Sequence, residues 1–334
     1  MHRLNSSVKQ IALIGPMAAD KSTLLGAWSL NGKENDVESI SEGLANEFGS
    51  AAKINIAKGC DFVGGNQSGF AEAIATAQKL DVVLVCLGEK KQWSGENASR
   101  SSIALPAIQE KLVQELLKYK KPMVLILSNG RLLELVRLEP LDDAVREIWQ
   151  PGVCGGSALA GILSGRINPS GKLSMTFPLT TWQIPTYYNM RQSARPFGGQ
   201  GDYQDISTQP LYWLGHCLSY TTFTYGDLKL SGAKIKKTEK LTVEVEVSNT
   251  GDVKGVESVL WYINDPVCSI SRPTKELKFF EKKELAAGTR TTFKFEIDPV
   301  RDLSYVDSDG KRFLESGNYS VIVNKQKVKF SVVE

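Results

Sequence analysis

The sequence predicts two soluble domains: a mainly parallel α/β domain followed by an all-β sandwich. Three observations carry this. The first ~200 residues alternate apolar strands with helical stretches, the hydrophobic period falls to two from about Lys234, and turn signals then recur every 8–12 residues. A length of 334 residues suits two domains of roughly 150 residues each. We place the boundaries at 1–200 and 229–334, with 201–228 connecting them.

The strands of the first part are read from apolar runs. KQIALIG (Lys9 to Gly15), KINIAKG (Lys53 to Gly59), DVVLVCLG (Asp81 to Gly88) and PMVLILSNG (Pro122 to Gly130) are four of them. DAVREIWQPG (Asp143 to Gly152) holds a fifth. The third is almost wholly apolar, as a strand buried on both faces should be. Helices are expected over Val37 to Gly49, Gly69 to Leu80, Leu105 to Tyr119 and Gly155 to Gly165. Glycine stops the first of these, and Pro106 lies near the start of the third. From KLTVEVEVSNTG onward, apolar and polar residues alternate through short strands, and Trp261 sits inside one of them as a core residue. A loop-rich segment at roughly Asn189 to Gly226 separates the two regions.

Composition excludes several functions. Apolar residues are 42% and charged residues 23%, as in ordinary globular proteins, and the net charge is +3. That charge is too small and too scattered to point to nucleic acid or an anionic membrane. No apolar run reaches ~18 residues, so no transmembrane helix is expected. The first residues lack the pattern of a signal peptide. Cys60, Cys86, Cys154, Cys217 and Cys268 are odd in number and without CxxC spacing, so neither a disulfide framework nor a zinc site is implied. With His2 and His216 as the only histidines, a Ser-His-Asp triad is improbable. No metal or organic cofactor is expected.

Three segments are candidates for chemistry. GPMAADKST follows the first strand like a phosphate loop, but Asp20 stands where that loop needs glycine, setting a negative charge where phosphate would lie. The glycine-rich stretch Gln150 to Pro178 suits helix–strand packing and turns better than a ligand. The third, GEKKQWSGENASR (Gly88 to Arg100), leaves the carboxyl end of a strand, where sites of open α/β sheets collect. It carries Glu89, Trp93, Glu96 and Arg100. A tryptophan face can stack on a sugar ring, and a partly desolvated glutamate can act as a general acid. A surface loop with solvated charges is the competing reading.

Four motifs in order resemble glycoside hydrolase family 3, the bacterial periplasmic β-glucosidases above all. They are LGEKKQWSGENASRSSIALPAIQEKLV, PGVCGGSALAGILSGRINPSGKLSMTFP, PLYWLGHCLSYTTFTYGDLKLSG and DPVCSISRPTKELKFFEKKELAAGTRTTFKFEI. The resemblance runs from about Lys9 to the end and implies that the second domain is fibronectin type III-like. It also implies a retaining β-glucosidase acting on a β-glucoside or oligosaccharide, periplasmic or extracellular when intact. In that family an N-terminal barrel supplies an aspartate nucleophile, and a loop of the α/β domain supplies the acid/base glutamate. By position that role falls on Glu96. Glu89 orders the loop, Arg100 steadies it or meets a sugar hydroxyl, and Trp93 contacts a ring. Nothing corresponding to the barrel precedes Met1, so the chain alone is expected to be inactive without that partner domain. His216 and Cys217 stand where the family has tyrosine and glycine, so Cys217 is strained if its φ must be positive. The alternative is a stand-alone carbohydrate-binding or interaction module.

Overall fold

The computed structural model describes residues 3–4, 7–138, 143–191 and 205–334. Residues 192–204, inside the loop-rich segment expected between the domains, and residues 139–142 lie outside the described residues. Two compact units are present. Unit 1 contains residues 1–167 and 177–184, and unit 2 contains residues 168–176 and 185–334.

Unit 1 is built on five parallel strands: β1 (Gln10–Ile14), β2 (Lys53–Ala57), β3 (Val82–Gly88), β4 (Met123–Ser128) and β5 (Ala144–Glu147). Their order in the sheet is β2-β1-β3-β4-β5. Every residue of β3 and β4 is buried, which is why both read as unbroken apolar runs. The helices are α1 (Ser22–Leu25), α2 (Ile40–Phe48), α3 (Phe70–Lys79), α4 (Ala107–Leu117) and α5 (Gly155–Ser164). Helix α2 opens with a capping box, in which the Ser39 hydroxyl accepts from the Glu42 N–H and Glu42 accepts from the Ser39 N–H. Ile40 and Leu44 of α2, with Leu159 and Leu163 of α5, pack on Ile11, Leu13, Leu84 and Ile126 on one face of the sheet. The alternate residues of those strands turn to the other face, where α3 and α4 lie together. The glycine-rich stretch serves packing: a Cβ at Gly43 of α2 would fall 2.1 Å from the Gly156 carbonyl carbon of α5. The GPMAADKST segment, set aside above as a phosphate loop, leads into α1, where Asp20 Oδ1 accepts the Thr23 N–H at 2.7 Å.

One core position breaks the pattern. Arg146 on the edge strand β5 pairs in register with Ile126 and so shares the face packed by α2 and α5. It is 7% exposed. Its Nη1 donates to the Val145 carbonyl at 3.3 Å, while Nε and Nη2 are buried without a hydrogen-bond partner among the described residues. A buried cation without a counter-charge is costly. Arg146→Met keeps the length of the side chain and removes the charge, and it is expected to raise unfolding free energy by about 1–3 kcal/mol. Urea unfolding of both proteins measures this, and a less stable Met variant would refute it.

Unit 2 is a sandwich. One sheet has the order β11 (Glu276–Leu285), β10 (Gly255–Asn264), β15 (Gly317–Val323), β16 (Gln326–Val333), β8 (Lys234–Lys236). The other has β12 (Arg290–Ile297), β9 (Leu241–Asn249), β6 (Phe223–Tyr225), with β7 (Lys229–Leu230) also paired to β9. A short hairpin pairs β13 (Tyr305–Val306) with β14 (Arg312–Phe313). Strand β9 buries every second residue, and Val243, Val245 and Val247 meet Trp261, Phe293 and Phe295 in the core. Trp261 is fully buried, as expected from its strand. Cys217 does not carry a positive φ; the left-handed residue of that turn is Gly215 at 88°, so the expected strain is absent.

Candidate active-site loop

In a parallel sheet ordered 2-1-3-4-5, connections leave β1 and β3 toward opposite faces, and ligands gather in the crevice at that switch point. The loop after β3 holds all four residues singled out from the sequence. Its course begins at Gly88, whose φ is 149° and whose added Cβ would fall 1.9 Å from the Ser128 carbonyl oxygen. The Glu89 N–H then donates to the same carbonyl at 3.1 Å. On the other side of the loop's root, Gln109 of α4 grips Gly88, accepting its N–H at 2.9 Å and donating to its carbonyl at 2.9 Å.

Glu89 turns inward and is 3% exposed. Its carboxylate accepts Arg131 Nε at 3.1 Å and lies 3.7 Å from Arg100 Nε. Burial raises its pKa, and the Arg131 guanidinium opposes the rise. Arg100 also stands with Cζ over the Trp93 ring, 4.5 Å from its centroid, so one face of that indole is taken. Trp93 sits in a short 3-10 turn, Lys91–Trp93.

Glu96 differs from the other three. It is exposed and, among the described residues, makes no hydrogen bond or ion pair. The Ala98 N–H donates to the Gly95 carbonyl at 3.4 Å, and Asn97 has a φ of 57°. The bond and the dihedral define a tight turn with Glu96 at its tip, and asparagine is among the few side chains that tolerate the left-handed position. Beside that tip stands Trp28, which follows α1 in the connection that leaves β1. A Cβ on Gly95 would lie 3.5 Å from the Trp28 indole nitrogen, and Trp28 is 69% exposed. Sequence reasoning passed over Trp28, because GAWSLNG shows only turn character. The signal that finds it is the strand order, which makes β1 and β3 neighbours.

Behind the loop lies a second carboxylate. Glu147, at the end of β5, accepts the Trp149 N–H at 2.8 Å and Asn129 Nδ2 at 3.1 Å. Burial outweighs these bonds and pushes its pKa from 4.5 up to about 8. The unfolded chain gives up this proton near pH 4.5, whereas the folded chain keeps it to about 8. The folded state therefore binds more protons between those values, and its stability must fall as pH rises through that window. Allowing for relaxation around the ionised group, we expect Glu147 to contribute about 2–3 kcal/mol of that fall between pH 5 and pH 8. Glu147→Gln should flatten this part of the pH–stability curve, and an unchanged curve would count against the shifted proton.

The site is thus a carboxylate on an exposed turn at the switch point of a parallel sheet, with an aromatic ring beside it and salt bridges to the buried Glu89 beneath, a layout suited to handing a proton to a ligand in the crevice. Comparison with known proteins identifies the class. Residues 4–220 match the glycosyl hydrolase family 3 C-terminal domain, and residues 257–327 match a fibronectin type III-like domain. The chain belongs to glycoside hydrolase family 3 and comprises its C-terminal part. A periplasmic β-glucosidase of Salmonella typhimurium is 36% identical over 94% of this chain and 44% of its own length. A β-xylosidase of Formosa agariphila is 35% identical over 95% of this chain and 44% of its own length. A β-glucosidase from Listeria innocua, solved with isofagomine, superposes with a TM-score of 0.90 at 36% identity, over 98% of this chain and 46% of that one. The chain therefore spans about half the length of the relatives it matches.

Proposed function

We propose that this chain is the acid/base half of a retaining β-glucosidase, with Glu96 as the acid/base residue. One observation carries the reading: Glu96 is the unpartnered carboxylate at the tip of the loop that leaves β3 at the sheet's switch point. In this mechanism an aspartate from a barrel domain attacks the anomeric carbon. Glu96 protonates the departing oxygen, then takes a proton from the water that releases the sugar, with the two carboxyl groups ~5–5.5 Å apart. Trp28 offers an open indole face to the leaving group. Glu89 and Arg100 hold the loop, and Trp93, held by Arg100 on one face, is the residue we assign to contact a sugar ring. One carboxylate cannot complete both steps, so the chain acts only together with a barrel domain. The name of the Salmonella relative supports a periplasmic setting and a terminal β-glucosyl substrate.

The test is a fusion in which this chain replaces the matching C-terminal part of the Salmonella β-glucosidase. Hydrolysis of an aryl β-glucoside by the fusion, with none by the chain alone, supports the proposal. Turnover by the chain alone would overturn the need for a barrel, and full activity of a Glu96→Gln fusion would overturn the assignment of Glu96.

A further inference from the structure

The Glu96 turn is weakly held from within. Among the described residues, the one closing bond is the 3.4 Å contact from the Ala98 N–H to the Gly95 carbonyl, and Glu96 itself has no side-chain partner. A turn of this kind aims a carboxylate only if something outside grips it. The grip comes from the three residues that follow β4: Asn129, Gly130 and Arg131.

We propose that Arg131 is the positioning residue of the Glu96 turn, its guanidinium bridging the buried Glu89 carboxylate to the main-chain carbonyl of Ala98. Nε donates to Glu89 Oε2 at 3.1 Å, and Nη2 donates to the Ala98 oxygen at 2.9 Å. The planar guanidinium fixes the angle between these two bonds, so the position of Glu89 sets the position of Ala98, two residues beyond Glu96. Glu89 is itself fixed, since its N–H is bonded to the Ser128 carbonyl of β4. Asn129 Nδ2 bonds the Arg131 carbonyl at 2.6 Å and Glu147 at 3.1 Å, which ties the arginine's backbone to β5.

The same tripeptide also meets the loop on the other side of Glu96. A Cβ on Gly130 would fall 2.1 Å from Ser94 Oγ, and that hydroxyl accepts Gln150 Nε2 at 3.0 Å. Ser94 and Ala98 flank Glu96 at two residues' distance each. The turn is therefore pinned at both feet by residues that follow β4 and β5, and its tip is left open.

The catalytic meaning of this clamp rests on Glu96 being the acid/base residue; the clamp itself does not. The test uses the whole chain and amide hydrogen exchange. In Arg131→Lys the ammonium can keep a charge beside Glu89 but cannot make both bonds at the guanidinium's fixed angle. Its unfolding midpoint is expected to stay near that of the wild type. Amides of residues 93–98 should exchange ~10-fold faster, while those of Val82–Leu87 do not change. Arg131→Ala should loosen the loop further, and its effect should not add to that of Glu89→Ala, since both break one bridge. Wild-type exchange across residues 93–98 in Arg131→Lys would overturn the proposal. So would an equal acceleration in the loop and in β3. Glu96→Gln serves as a control that should leave loop exchange unaltered. A loosened loop in Arg131→Lys, with full activity of the Glu96→Gln fusion, would keep the clamp and discard the acid assignment. The reverse pair of results would do the opposite.

Discussion

Replacing Glu96 with glycine in the fusion enzyme is expected to lower kcat/KM on an alkyl β-glucoside by about 10²–10⁴, the usual worth of a positioned general acid. The loss should depend on the leaving group. An alkoxide departs poorly and needs a proton as the glycosidic bond breaks. A dinitrophenolate departs well without one, so bond cleavage on that substrate should be nearly unaffected. Removal of the sugar from the nucleophile would then become slow, because no base remains to activate water. An initial burst of dinitrophenol followed by slow turnover is the signature, and added azide should restore the second step by attacking without a base. Glycine is chosen because it opens room for azide at the tip of the turn. A uniform loss on both substrates, with no burst and no rescue, would show that Glu96 shapes the site without transferring a proton.

Gly88→Val is expected to be the most destabilising single change near the site, costing more than ~4 kcal/mol. Two effects combine. The φ of 149° is closed to a β-branched residue, and the new Cβ would fall 1.9 Å from the Ser128 carbonyl oxygen. That oxygen belongs to β4 and accepts the Glu89 N–H, so neither side can yield without separating β3 from β4. The purified variant should unfold at much lower urea than the wild type or fail to accumulate as folded protein. A midpoint within error of the wild type would mean that the β3–β4 junction relaxes cheaply.

Much of the fold was legible because its signals are local. The unbroken apolar runs of β3 and β4 announce strands buried on both faces, and Gly49 marks the end of α2, whose first residue, Ile40, lies three residues after the expected Val37, behind the Ser39 cap. The alternation of β9 announces a sandwich strand. The loop bearing Glu89, Trp93, Glu96 and Arg100 could be found because it leaves a recognisable strand, and it carries family motifs besides. The residues that were missed belong to other strands. Trp28 meets Gly95 only because β1 and β3 are neighbours, a fact of sheet order and not of spacing. Arg131 reaches the loop from the end of β4 for the same reason, and Glu147 at the end of β5 holds the Asn129 beside it. Arg146 was hidden differently: AVREIW reads as an ordinary strand, and nothing in it says which face its arginine takes.

The Arg131 bond ends on a carbonyl oxygen, an atom that every amino acid possesses. The identity of residue 98 is therefore free to change without cost to the clamp, and so is most of the turn except at Gly95 and the left-handed Asn97. A grip on the main chain separates aim from chemistry. It leaves a cassette of a few residues in which substitutions can alter what surrounds the carboxylate, while the direction in which it points is inherited from the sheet below.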